Sequence, residues 1–229
     1  MTVAHVLWYA TRATGIVALI LLTGTLVLGV VGTARVASER WPRLVTAGLH
    51  RNLALTATAL VVVHVVTTIL DPFVSIGLVA AFVPFASSYR PIWLSLGAVA
   101  FDLLLAVLIT SLLRDRLSHR AWQVVHLLVY VCWPVALWHA LGTGTDTRLH
   151  LVLAIDIACV LALAVAVWWR LSLTSSPAIR RFGLLTLVAL AVLTAIFVMA
   201  GPLQPGWPLR AGTPPALLGL RLLSEFIGR

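Results

Sequence analysis

Six stretches of this chain are almost wholly apolar, and short segments rich in arginine, proline and glycine separate them. The pattern predicts six helices: about Trp8 to Gly32, Thr46 to Leu70, Ile92 to Leu113, Trp122 to Leu141, Leu149 to Trp169, and Phe182 to Ala200. Each is close to the roughly 20 apolar residues needed to cross a hydrocarbon core of about 30 Å. Asp71-Pro72 ends the second helix, because a residue before proline is pushed out of the helical region. Gly142-Thr143-Gly144 ends the fourth. Between Phe73 and Ser88 lies a shorter apolar piece interrupted by Pro84, which reads as an interfacial or re-entrant segment. The expected fold is an all-α polytopic membrane protein, a six-transmembrane-helix bundle.

Composition supports that reading and narrows it. The 229 residues are 61% hydrophobic and only 10% charged, which no soluble domain of this length would tolerate. The net charge of +9 comes from arginine alone. The arginines flank the apolar runs, so topology and lipid headgroups explain them, and nucleic acid is not expected as a partner. Arg35, Arg40 and Arg43 follow helix 1, Arg114, Arg116 and Arg120 follow helix 3, and Arg170, Arg180 and Arg181 follow helix 5. The opposite connections carry only Arg90 and Arg148. The positive-inside rule then puts the basic loops in the cytoplasm and both termini outside, in a multi-pass protein of the plasma membrane. Trp8, Trp93 and Trp138 fall near the outer face, Trp41, Trp122, Trp168 and Trp169 near the inner one, and Trp133 near the middle. Few residues precede helix 1 and none form a basic cluster, so no cleavable signal peptide is expected. Cys132 and Cys159 lie inside apolar runs and read as core packing.

Four histidines inside these runs are the candidate chemistry. His50 and His64 lie fourteen residues apart on helix 2, and His126 and His139 thirteen apart on helix 4. At about 1.5 Å per residue each pair spans roughly 20 Å, so each helix carries one histidine near each membrane face. Helices 2 and 4 run in the same direction, so His50 is level with His126 and His64 with His139. Level imidazoles on two helices are what bis-histidine haem ligation requires, and ionisable groups inside a membrane are functional suspects. A straight helix brings His64 back to within about 40° of His50 but leaves His139 roughly 140° short of four turns from His126. Pro134 lies between the latter two, so either a kink there re-aims one ring or the two haems approach that helix from different azimuths, and the sequence does not choose between them.

On His50-Arg51 through His64, and His126 through His139, the chain resembles the ferric reductase-like transmembrane domain family, over roughly helices 1 to 5. That family includes the membrane parts of ferric reductases and NADPH oxidases, and the haem subunit of a periplasmic methionine sulfoxide reductase system. The resemblance implies two b-type haems, ligated by His50 with His126 and by His64 with His139, and electron transfer across the membrane. No G-x-G-x-x-G in a strand–helix context follows, so the chain is not expected to oxidise NAD(P)H itself, and whether it is an enzyme in its own right stays open. The expected donor is a cytoplasmic flavoprotein or membrane quinol, and the expected acceptor ferric iron, O₂ or an extracytoplasmic partner protein. The alternative is a non-haem membrane scaffold or small transporter whose histidines serve packing or proton transfer.

Other residues carry weaker signals. Arg51 is a candidate for a haem propionate, with Arg43 and Arg120 near it in depth. Arg12, Tyr89, Arg90, Arg148 and His150 are candidates on the outer side. Asp102 and Asp156 lie within helices 3 and 5, where a carboxylate needs a partner; a ligand histidine, a proton path or Arg12 would serve. His5 and His119 read as solvated. Residues 1–201 read as the transmembrane domain, and 202–229 as a proline-rich linker, expected to be extended, followed by a short amphipathic helix. Leu217, Leu220, Leu223 and Ile227 share one face of that helix, with Arg221 and Glu225 on the other side. This tail is expected to lie on the outer surface or across the outer site.

Overall fold

A segment without water satisfies its backbone N–H and C=O groups internally, and the helix does so within one segment. The apolar runs accordingly become long helices in the computed structural model, which describes residues 3–33, 43–72, 74 and 76–217. α1 spans Val3–Thr33, α2 Arg43–Leu70, α3 Pro91–Leu112, α4 His119–Leu127, α5 Val129–Thr143, α6 His150–Ser172 and α7 Pro177–Ala200. A one-turn helix, α8, follows at Trp207–Arg210. Among the described residues, six segments are long and apolar enough to cross a membrane, with α4 and α5 together forming one of them. Among the described residues there is no β-strand. Arg35, Arg40 and Trp41 lie outside the described residues, as does the proposed amphipathic stretch from residue 218 onward.

Polar residues extend the helices past their apolar stretches. α7 begins at Pro177, five residues before the apolar run, because Ser176 caps it by accepting from the Ile179 N–H. Arg180 and Arg181 thus ride on the first turns rather than in a loop. Ser118 caps α4 in the same way, accepting from the Ala121 N–H at 3.2 Å.

The fourth span is not one uninterrupted helix. Pro134 sits inside the continuous helix α5, and the break lies at Leu128. There the Leu128 N–H turns back to the Val125 carbonyl at 3.0 Å, in the tight i−3 manner. Proline disturbs the turn before it, since its ring crowds the carbonyl four residues back, here that of Tyr130.

α1 packs along α2, α5 and α6, while α3 packs along α4 and α5. The buried core joins Leu19, Leu22 and Leu26 of α1, Ala57 of α2, Ala100 and Leu104 of α3, Trp133 and Leu137 of α5, and Cys159 of α6. Ala57 is completely buried and lies seven residues from His50 and from His64, so this core forms a waist between two histidine levels. Trp133 lies in the same waist, and its indole N–H donates to Thr23 at 2.9 Å. Both cysteines are free and buried, and Cys132 donates to the Ala100 carbonyl. α7 packs on α6 and buries none of its residues, which leaves its apolar surface to lipid.

The segment after α7 is folded, not extended. Pro208 sits in the first turn of α8, where its missing N–H costs nothing. The fold is fastened by Arg90, which is only 1% exposed. Its guanidinium donates to Thr213 and to the Gly142 and Thr143 carbonyls, at 2.8 to 2.9 Å. Its own N–H donates to the Gly212 carbonyl, at 3.0 Å. Arg90 has φ of +42°, a left-handed conformation that these bonds hold in place. Trp93 and Phe197 stack on each other, and the Trp207 indole packs against both at tilted and edge-on angles. Between α2 and α3, residues 78–81 form a single 3₁₀ turn with Leu78, Val79, Phe82 and Phe85 exposed, as a short interfacial piece would leave them.

Candidate functional site

Two histidine pairs face each other at two levels. The His50 and His126 rings have centroids 6.3 Å apart, as do those of His64 and His139. The first pair lies toward the end that bears Arg51, Arg114 and Arg120; the second lies toward the end closed by Arg90 and residues 201–217. Despite the thirteen-residue spacing, with one interruption at Leu128 between them, each histidine of that span meets its partner.

The rings are held by hydrogen bonds at Nδ1. His50 Nδ1 lies 2.9 Å from the Thr25 carbonyl, His64 Nδ1 2.7 Å from that of Thr11, and His139 Nδ1 2.8 Å from that of Trp93. A carbonyl only accepts, so each of these Nδ1 atoms carries the proton. The tautomer then leaves the Nε2 lone pair for a metal ion, as backbone carbonyls do at many metal-bound histidines. His126 differs: its Nδ1 approaches the Ser111 hydroxyl at 3.4 Å.

A small residue makes each carbonyl reachable. In a helix the carbonyl of residue i lies beneath the side chain of residue i+4. Thr11, Thr25 and Trp93 are each followed four residues later by glycine, at Gly15, Gly29 and Gly97. A methyl added at Gly97 would meet the His139 ring at 2.5 Å, at Gly15 the His64 ring at 3.0 Å, and at Gly29 the His50 ring at 3.4 Å. These glycines and carbonyls escaped the sequence reading. The available signal was the fourteen-residue interval between Gly15 and Gly29, equal to that between His50 and His64 on the antiparallel neighbour.

The other candidates take different places. Arg12 pairs with Asp146, bonds Thr145 and lies over the Trp8 ring, so it meets neither Asp102 nor Asp156. Neither of those carboxylates orients a histidine of the two pairs, whose Nδ1 partners are carbonyls and Ser111. Asp156 is buried on α6, while Asp102 is exposed on α3. Arg90 and Arg148 hold the segment after α7, Arg148 through the Leu203 carbonyl. Arg51, His5, His119 and His150 are exposed, and Tyr89 lies beside the Arg90 guanidinium. Trp122 stacks on His126 with centroids 4.9 Å apart, beneath the Arg114 guanidinium.

The model of the family described as ferric reductase like transmembrane component matches residues 14–137, more than half of the chain. The chain belongs to that family. The matched span contains His50, His64 and His126 and ends two residues before His139. Among curated proteins and among solved structures, none matches the chain. Membership in this ferric reductase-like family points to transmembrane electron transfer, in a multi-pass protein whose surroundings are a lipid bilayer.

Proposed function

We propose that this chain binds two b-type haems, one between His50 and His126 and one between His64 and His139, and that electrons cross the membrane through them. The observation that carries this reading is the separation of 6.3 Å at both levels. A metal–imidazole bond of about 2 Å on each side, with about 1 Å from each nitrogen to its ring centre, gives a separation of about 6 Å. Chemistry narrows the choice of metal group further. Among the described residues, no three or more His, Cys, Asp or Glu side chains gather as a metal site. Two imidazoles do not satisfy a bare metal ion, so the group must bring its own equatorial ligands, as a porphyrin does.

When bound between these imidazoles, haem would supply a one-electron redox centre at each level. The protein's own part is to fix the tautomer through Thr11, Thr25 and Trp93, and to hold two sites roughly 20 Å apart along the helices. It also keeps water out of the waist with Leu22, Leu26, Ala57 and Trp133. The arginine-rich end, with His50 and His126, is assigned to the cytoplasm on the positive-inside argument, and both termini to the outside. Arg51 is assigned to a propionate of the inner haem. Electrons would then enter from a separate flavoprotein or membrane quinol and leave to an extracytoplasmic acceptor, whether ferric iron, O₂ or a partner protein.

Haem quantified as pyridine haemochrome against protein should give close to two per chain. His64→Ala should leave one, still reducible by a donor offered at the arginine-rich side of sealed vesicles. A value near zero in haem-replete cells would overturn the reading in favour of a membrane scaffold or transporter. Reduction from the arginine-rich side that survives His50→Ala but not His64→Ala would invert the topology.

A further inference from the structure

Ser111 breaks a rule that the other three imidazole supports obey. On α3, the Trp93 carbonyl receives His139, and Gly97 four residues later makes room for the ring. Fourteen residues further along the same helix, the corresponding positions are Val107 and Ser111. The glycine of the pattern is here a serine. By the geometry at Gly97, a β-carbon at this position would lie in the path of the ring, and the serine hydroxyl lies 3.4 Å from His126 Nδ1, against 2.7 to 2.9 Å for the carbonyls elsewhere.

On the haem reading given above, we propose that Ser111 is a positioning residue for His126, and that it raises the reduction potential of the inner haem above what a carbonyl acceptor would give. A hydroxyl is a poorer acceptor than a backbone carbonyl, and the longer contact weakens it further. The Nδ1 proton is therefore drawn away less, the imidazole donates less charge to iron, and the oxidised state loses support relative to the reduced one. The surroundings act in the same sense. Trp122 stacks on the His126 ring, and the Arg114 guanidinium lies 4.6 Å from the Trp122 ring centre, placing positive charge beside this imidazole. The partner ring His50 keeps a carbonyl acceptor, so the difference resides in one ligand of one site.

Two substitutions at this position separate tuning from simple packing. Ser111→Gly should open the Val107 carbonyl to His126 and lower the potential of one haem. Ser111→Ala removes the acceptor and keeps the methyl in the way, so it should raise that potential. Potentiometric titration of the full-length variants, with haem content measured alongside, reads both. The shifting component should be the one that persists in His64→Ala. Shifts of the same sign in both variants, or no shift with two haems retained, would overturn the proposal while leaving the haem reading standing. Loss of one haem from Ser111→Ala but not from Ser111→Gly would support it, and loss from Ser111→Gly would overturn it. An unmodified chain without haem would remove both readings together.

Discussion

In the hairpin of α1 and α2, two carbonyl–glycine supports lie fourteen residues apart on one helix, and two histidines lie fourteen apart on the other. In the hairpin of α3 with α4 and α5, the supporting positions are again fourteen apart, but the histidines are thirteen apart and only one support has its glycine. The first hairpin needs no device beyond matched spacing, since fourteen residues nearly complete four turns. The second has an interruption at Leu128 between its two histidines, and it replaces one carbonyl with a hydroxyl. The two hairpins therefore build the same pair of sites, one through repetition and one through local irregularity.

The largest effects should come from filling the glycine supports. Gly97→Ala places a methyl against the His139 ring and should remove one of the two haems, because the ring cannot retreat from the Trp93 carbonyl without leaving its partner. Gly15→Ala should weaken retention of the same haem less severely, and Gly29→Ala should be milder still at the other site, following the widening contact distances. Haem content after purification ranks the three. An effect of Gly29→Ala equal to that of Gly97→Ala would show that the spacing, not the space beside the ring, decides the site.

A second contrast is external support. The Arg90–Thr213 and Trp207 contacts fasten the second hairpin to the segment after α7. Arg90→Met should remove the guanidinium bonds to two carbonyls and a hydroxyl and cost about 3 kcal/mol, read as a lowered midpoint of thermal unfolding in detergent. Haem of the His64–His139 pair should be lost first on heating, since Trp93 both supports His139 and packs against Trp207. Simultaneous loss from both pairs would separate the segment from that site. The smallest effect is expected at the waist that joins the hairpins. Trp133→Phe deletes the indole N–H bond to Thr23, whose hydroxyl keeps its bond to the Leu19 carbonyl, so about 1 kcal/mol is expected with both haems retained. Loss of haem from this variant would give Trp133 a larger role than packing.

The sequence by itself determined the six membrane-crossing segments, because an apolar run of that length has few other stable conformations in lipid. It also determined which histidines stand level, since rise per residue converts spacing into depth. It did not reveal that the fourth span would be interrupted at Leu128, six residues before Pro134. Nor did it reveal that Arg12 would meet Asp146, or that residues 201–213 would fold under Arg90, for both contacts join positions more than a hundred residues apart. Only the tertiary structure decided what holds each imidazole. A backbone carbonyl has no letter of its own in a sequence, and a glycine shows its purpose only when another helix is laid against it.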